Sequence, residues 1–339
     1  MFVINLFAYV DDNFGFEMAG NLKWYEPYDQ FMPSAQVTLL TLWDQLGVPH
    51  ERHKQLWGEA LTIIGFLVDI NKMTLTLPID SKEELITAID DFLQTTSRRC
   101  SLAEWLQLAG WISWLLNVFL LLQPALCNVY LKTSGKEDKW CEIYVNKAVT
   151  EELSWFREHA RRSSGVFFFK AIDWHPLDDT DFKIFTDACL EGMGFWAPCL
   201  QLGWYADVPF KTNGKIFFWE VVCVLSAIDW FCRKLLLHCC NSFPSDRIIR
   251  LTILTDNMNT VNIYDSLAAL PGYNDLLRAS VDLLIEHNVD LRVLHIPGDD
   301  NIIADLISRK KFDNAVRFIP SLQIFRFQPP QCVLGAAKK

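Results

Sequence analysis

Apolar and polar positions along the chain follow two different regimes. In the first half, short apolar runs are cut by polar turns. "FVINLFAYV" and "NFGFEMA" read as two strands joined at Asp11 and Asp12, a hairpin with its polar tip at the carboxylates. Residues 33–47 carry a helical pattern stopped by Gly47, and 59–78 read as a second hairpin turning near "DINKM". Helices are expected over 80–95 and 101–122, opened by "DSKEE" and "SLAEW", an acidic and a Ser cap. The polar linker "KTSGKEDK" (132–139), a helical connector over 146–163 and the Pro/Asp loop "WHPLDDTD" (174–181) close this half.

The second half changes period. "FKIFTDACL", "GMGFWAPC" and "LGWYAD" read as three strands, followed by the long helix "IFFWEVVCVLSAIDWFCRKLLL". After it come a strand ("IRLTILTDN"), two helices ("MNTVNIYDSL", "GYNDLLRASVDLLIEHN"), a strand ("VDLRVLHIPG") and a last helix ("DDNIIADLISR"). Three strands, then helices alternating with strands, predict an α/β domain with a mixed sheet. Residues 310–339 read as a Pro-containing, mildly basic tail that is poorly ordered at its end.

With 339 residues, 51% hydrophobic and 21% charged, the chain has room for two or three domains with a sizeable core. A formal net charge of −10 disfavours tight, unaided binding to a polyanion but is compatible with acidic clusters that hold metal ions. None of the ten cysteines forms a C-x-x-C pair, and the densest group, His238, Cys239 and Cys240, fits no zinc spacing. Buried free thiols in a reducing compartment are the expectation. Without a sequon or a basic segment before the apolar start, the chain reads as intracellular, in cytoplasm or nucleus, and not secreted. Residues 105–131 carry no charge and are long enough to span a bilayer, but Gln107, Asn117, Gln123, Asn128 and Pro124 interrupt them, so a buried helix pair is expected.

Four carboxylates of the second half fall where elements of an α/β sheet converge: Asp187 on the first strand, Glu220 early in the long helix, Asp256 at a strand end, and Asp305 in the last helix. Taken singly, an Asp at a strand end is a turn former and a lone His is structural. Taken together, four carboxylates repel unless divalent cations neutralise them. Two Mg²⁺ ions, with Mn²⁺ as the alternative, would do so while activating water for phosphodiester hydrolysis. His295 lies where a mobile loop could bring an imidazole to the leaving group.

The order "FTDACLEGMGFW", "FFWEVV", "ILTDNMNTV", "HIPGDDNIIADLISR" resembles the ribonuclease H domain of retroelement polyproteins, gypsy-like or DIRS-like. The last segment resembles the signature H-x-P-G-x-x-N-x-x-A-D-x-L-S-R, departing where Ile307 follows Leu306; Cys189 stands where Ser is usual. The resemblance implies that Asp187, Glu220, Asp256 and Asp305 bind metal, that His295 is the catalytic-loop histidine, and that Asn301 orders that loop. "YVDD" resembles the Y-x-D-D hairpin of reverse transcriptases, which makes Asp11 and Asp12 metal-binding acids of a palm. By the same resemblance, 1–78 is a partial palm with a primer-grip hairpin, 79–131 thumb-like helices, 132–181 a connection, 182–310 the ribonuclease H-like domain and 311–339 the tail. The fingers and the further palm Asp have no counterpart, so the chain is expected to be truncated at Y-x-D-D and not to polymerise DNA alone. What the resemblance implies is metal-dependent endonucleolytic cleavage of the RNA strand of an RNA·DNA hybrid, with nucleic acid as the partner and no membrane. The alternatives are an inactive retroelement remnant or nucleic-acid-binding fragment, and a transposase or integrase core, against which the D-E-D-D order and the late histidine argue.

Overall fold

The computed structural model describes residues 5–162, 167–168, 174–208, 216–236 and 248–331. The chain divides into two compact units, Met1–Glu84 with Ser163–Phe169, and Leu85–Arg162 with Lys170–Lys339.

In the first unit, β1 (Leu6–Tyr9) and β2 (Asp12–Gly15) form an antiparallel hairpin with every residue but Phe14 exposed. Its turn is Val10–Asp11, with Val10 at φ 55°, and Asp12 opens β2 opposite Tyr9, one residue off the expected tip. A second hairpin, β3 (Leu22–Tyr25) and β4 (Gln30–Pro33), packs on α1 (Ser34–Leu46) around Tyr25, Met32, Val37 and Leu40. Gly47, left-handed at φ 70°, ends α1 as the sequence predicts. The segment expected as one hairpin over 59–78 is a three-stranded meander: β5 (Ala60–Ile63), β6 (Phe66–Asp69) and β7 (Thr74–Thr76). The extra turn is Ile64–Gly65, both at positive φ (50° and 80°). A tight hairpin turn needs that conformation, but an isoleucine in it is rare, so the position reads as strand in sequence.

Helix α2 (Ile79–Gln94) leads into the second unit, where β8 (Arg99–Ser101) is followed by α3 (Leu102–Leu115). Ser101 and Glu104 close the expected capping box. Helix α3 stops seven residues short of expectation, where the Asn117 side chain donates to the Trp114 carbonyl at 2.7 Å. The uncharged run then breaks into a 3₁₀ stretch (Leu120–Leu126) containing Pro124 and the short α4 (Cys127–Thr133). Among the described residues no helix is long and apolar enough to cross a membrane. A short β9 (Glu142–Tyr144) pairs with β8, and α5 (Lys147–Arg162) packs against α4 and the 3₁₀ stretch. The chain then adds β10 (Phe167–Phe168) to β7 of the first unit.

The second unit is built on a six-stranded mixed sheet. β11 (Phe182–Ala188), β12 (Gly192–Ala197) and β13 (Leu202–Asp207) run antiparallel. α6 (Ile216–Trp230) passes into π-helical turns at Phe231–Leu236, where the sequence pattern reads one continuous α-helix. β14 (Ile249–Thr255) pairs parallel with β11, α7 (Met258–Ser266) and α8 (Pro271–Glu286) follow, and β15 (Val289–His295) pairs parallel with β14. After α9 (Ile302–Ser308), the stretch read as a tail carries α10 (Phe312–Phe318) and β16 (Gln323–Arg326). β16 pairs parallel with β13, giving the order β15-β14-β11-β12-β13-β16. Four residues after a Pro-containing turn carry too short an alternation to read as a strand. The end of the tail and the His238, Cys239, Cys240 cluster lie outside the described residues.

The sheet is buried on both faces. α6 and α8 cover one face through Met193, Phe195, Val222, Leu225, Leu251 and Ile253. α9 lies on the other, through Ile303 and Ile307 against Trp196, Tyr205 and Ile324. Its approach is close because three glycines floor the seat. A Cβ on Gly194 would lie 2.6 Å from the Ser308 amide nitrogen and 2.8 Å from Ile307, and one on Gly203 would lie 2.7 Å from Ile307. Gly192 faces the Ser308 carbonyl in the same way. Gly194→Ala is therefore expected to destabilise the protein by about 2 kcal/mol in urea unfolding, because backbone and a fully buried side chain must move. Gly272→Ala, early in α8 with nothing within 4 Å of its added Cβ, is expected to be neutral or stabilising by about 0.5 kcal/mol.

Candidate metal centre

Three elements deliver one carboxylate each to the same end of the sheet. Asp187 is the penultimate residue of β11, Asp256 follows the last residue of the parallel neighbour β14, and Glu220 sits in the second turn of α6. One carboxylate oxygen from each lies within 4.8 Å of the others. Among the described residues no other group of three His, Cys, Asp or Glu ligand atoms converges in this way. Asp187 and Glu220 are each only 4% exposed, while Asp256 opens to solvent.

Burial and the neighbouring charges raise two of these carboxyls, Asp187 and Glu220. The Asp187 carboxyl is pushed up to about 7, mainly by burial, with the charges of Asp256 and Asp305 adding to it. The Ser308 hydroxyl, which donates to Asp187 Oδ2, and the charge of Arg309 pull the other way. The Glu220 carboxyl is pushed up to about 9 by burial and then by Asp187 and Asp256, against one backbone hydrogen bond from Ala188. Glu220 Oε2 is buried with no hydrogen-bond partner. A buried carboxylate oxygen without a donor is costly for the fold alone. It is what a hard divalent cation supplies, and three converging carboxylates are a hard-oxygen donor set. The residues present therefore fit a Mg²⁺-type ion.

The structure places the remaining sequence candidates around this group. His295 ends β15 in register with Thr255, so it stands one strand over from the start of the Asp256 turn, and it is exposed. The loop after it folds back on Asp256: a Cβ on Gly298 would lie 3.4 Å from Asp256 Oδ2. Asn301 is buried, and its side-chain amide donates to the Thr186 carbonyl at 2.9 Å, tying that loop to the strand residue before Asp187. Asp305 is not brought into the group. Its Oδ1 accepts from Arg309 Nε at 2.6 Å, one turn along α9. Asp11 and Asp12 are exposed in the first unit, and no third acid gathers with them among the described residues. Ser308 and Arg309 received no role from the sequence. Their signal was their spacing, three and four residues after Asp305, which puts them on the same helix face.

The raised carboxyls make a linked statement about stability. An unfolded carboxyl releases its proton near pH 4, whereas folded Asp187 holds it to about 7 and Glu220 to about 9. Between these values the native state binds more protons than the unfolded state, so metal-free stability falls as pH rises. Asp187→Asn removes one ionisable member. In EDTA at pH 8 it is expected to stabilise the protein by on the order of 3 kcal/mol, and by nothing measurable near pH 4. Urea unfolding at the two pH values checks this, and Mg²⁺ is expected to stabilise the wild type far more than the variant.

No protein-family model matches the chain, and no curated protein matches it. Among solved structures, it is similar to the foamy viral protease-reverse transcriptase dRH in complex with double-stranded DNA, at 13% identity and a TM-score of 0.33 over 86% of this chain and 46% of that one. It is also similar to the foamy viral protease-reverse transcriptase in complex with double-stranded DNA, at 11% identity and a TM-score of 0.34 over 96% of this chain and 55% of that one. The chain thus spans about half the length of these structures.

Proposed function

We propose that the chain is a retroelement-type reverse transcriptase/ribonuclease H protein whose working chemistry is divalent-metal-dependent hydrolysis of RNA in an RNA·DNA hybrid. The observation that carries this is the convergence of Asp187, Glu220 and Asp256 with a buried, unpartnered oxygen on Glu220. The order of these residues along the chain, with the His295 to Arg309 segment after them, supports the ribonuclease H type over other metal hydrolases.

Asp187, Glu220 and Asp256 would hold the cation; Mg²⁺ bound there supplies an activated water and charge neutralisation at the phosphodiester. Ser308 fixes one Asp187 oxygen, leaving the other for metal. Asn301 anchors the loop that carries His295, an exposed imidazole able to move toward a leaving group and assist proton transfer. Hydrolysis leaves a 3′-hydroxyl and a 5′-phosphate, and contacts to 2′-hydroxyls distinguish the RNA strand. A second reading, a non-catalytic nucleic-acid-binding fragment, is favoured by one observation: Asp305 pairs with Arg309 rather than joining the other acids.

Incubation with a labelled RNA·DNA hybrid and Mg²⁺ separates the two readings. Cleavage is expected, and Asp187→Asn is expected to abolish it while the protein stays folded. His295→Ala is expected to slow it on the order of 100-fold, because the metal-activated water remains. Equal loss from both substitutions would contradict the role given to His295, and undiminished cleavage by Asp187→Asn would place the activity elsewhere. With Asp11 and Asp12 lacking a third convergent acid among the described residues, no nucleotide incorporation on poly(rA)·oligo(dT) is expected from this chain.

A further inference from the structure

Asp305 is the one acid of the four that stays out of the group. It precedes by one turn Ser308, whose hydroxyl bonds Asp187, and its negative charge is felt at Asp187. What occupies it is Arg309. The pair is self-contained within α9 and its cap, with an acid followed by a base at i,i+4, the favourable orientation on a helix. It is also open to solvent, with Arg309 51% and Asp305 38% exposed. An ion pair so exposed contributes little and exchanges readily. The next cation along the chain, Lys310, is directed away, to Asp207, which Arg326 also reaches at 2.6 Å. Arg309, and not Lys310, is therefore the cation paired with Asp305, and its charge reaches Asp187 as well.

Given the metal centre proposed above, we propose that Arg309 is its internal counter-ion, holding Asp305 until a second divalent cation claims that carboxylate. Cations then load in two steps. The first is held by Asp187, Glu220 and Asp256 with Asp305 still paired. The second requires Asp305 to leave Arg309, so its apparent affinity is lowered by the fraction of time the pair is closed. Arg309 thereby sets the cation concentration at which the centre is completed. It is a positioning residue that acts through Asp305.

Mn²⁺ titration of the full chain, with free ion counted by electron paramagnetic resonance and heats by calorimetry, tests this independently of cleavage. The wild type is expected to bind Mn²⁺ in two steps. Arg309→Met, which keeps the stem and removes the charge, is expected to tighten the second step about fivefold while moving the first less than about twofold. Arg309→Lys restores the charge and is expected to return the second step toward wild type. If Arg309 only secures the end of α9, Arg309→Met lowers the melting temperature in EDTA and leaves the second step where it was, which overturns the proposal. A weakened second step, or a single step in the wild type and in Arg309→Met alike, overturns it too. Should Arg309→Met fail to fold, Arg309→Gln carries the same expectation. Asp187→Asn is the control for the centre itself: if it binds Mn²⁺ as the wild type does, the metal-centre reading fails, whatever Arg309 does.

Discussion

The close approach of α9 to the sheet is the constraint on which the rest of the second unit depends. A helix normally stands off a sheet by the thickness of two layers of side chains. Here Gly192, Gly194 and Gly203 remove one layer, and the backbone around Ser308 comes within reach of β12. Ile307, fully buried, fills what space the glycines leave, which is how the departure at this position from the signature the segment resembles is accommodated. The consequence is chemical. A helix this close places the Ser308 hydroxyl on Asp187 and lets the charges of Asp305 and Arg309 act on the same carboxylate.

Burial of acids alone does not mark a functional centre, and the chain contains its own control. Glu152 on α5 is 1% exposed, and burial raises its carboxyl too. Both of its oxygens, however, are satisfied: Oε2 accepts from the Asn128 amide at 2.8 Å, and Oε1 accepts from the side chains of Asn128 at 2.6 Å and Asn274 at 2.5 Å. Asn274 also donates to the Pro124 carbonyl, so this carboxylate ties α4, α5 and α8 together. Glu220 is buried almost as deeply, has one backbone donor and one empty oxygen, and faces two further carboxylates. A fully bonded buried acid holds a structure together; a partly bonded one among like charges awaits a cation.

Much of the fold was legible where elements are long and their chemistry is local. The strands around Asp187 and Asp256, the caps at Ser101 and Gly47, and the order of the carboxylates can be read from pattern and spacing. What was not legible depends on partners distant in sequence or on rare backbone. The Ile64–Gly65 turn uses a conformation that isoleucine seldom adopts. β16 is a strand because β13 offers it an edge and because Phe327 packs on Phe195, neither of which shows in "LQIFRF". The α9 seat required knowing that three glycines on two strands face one helix. The absence of Asp305 from the group was hidden for a simpler reason: a motif names residues, and the ion pair Asp305 makes with Arg309 four residues on does not show in it.

The claim that buried carboxylate repulsion in this fold exists to hold a divalent cation is tested most directly by locating the cation. Crystals of the protein grown or soaked with Mn²⁺ can be measured at the manganese absorption edge. The account predicts an anomalous difference peak bounded by Asp187, Glu220 and Asp256, in contact with the Glu220 oxygen that lacks a donor. A peak elsewhere, such as at Asp11 and Asp12, or none at saturating Mn²⁺ would contradict it.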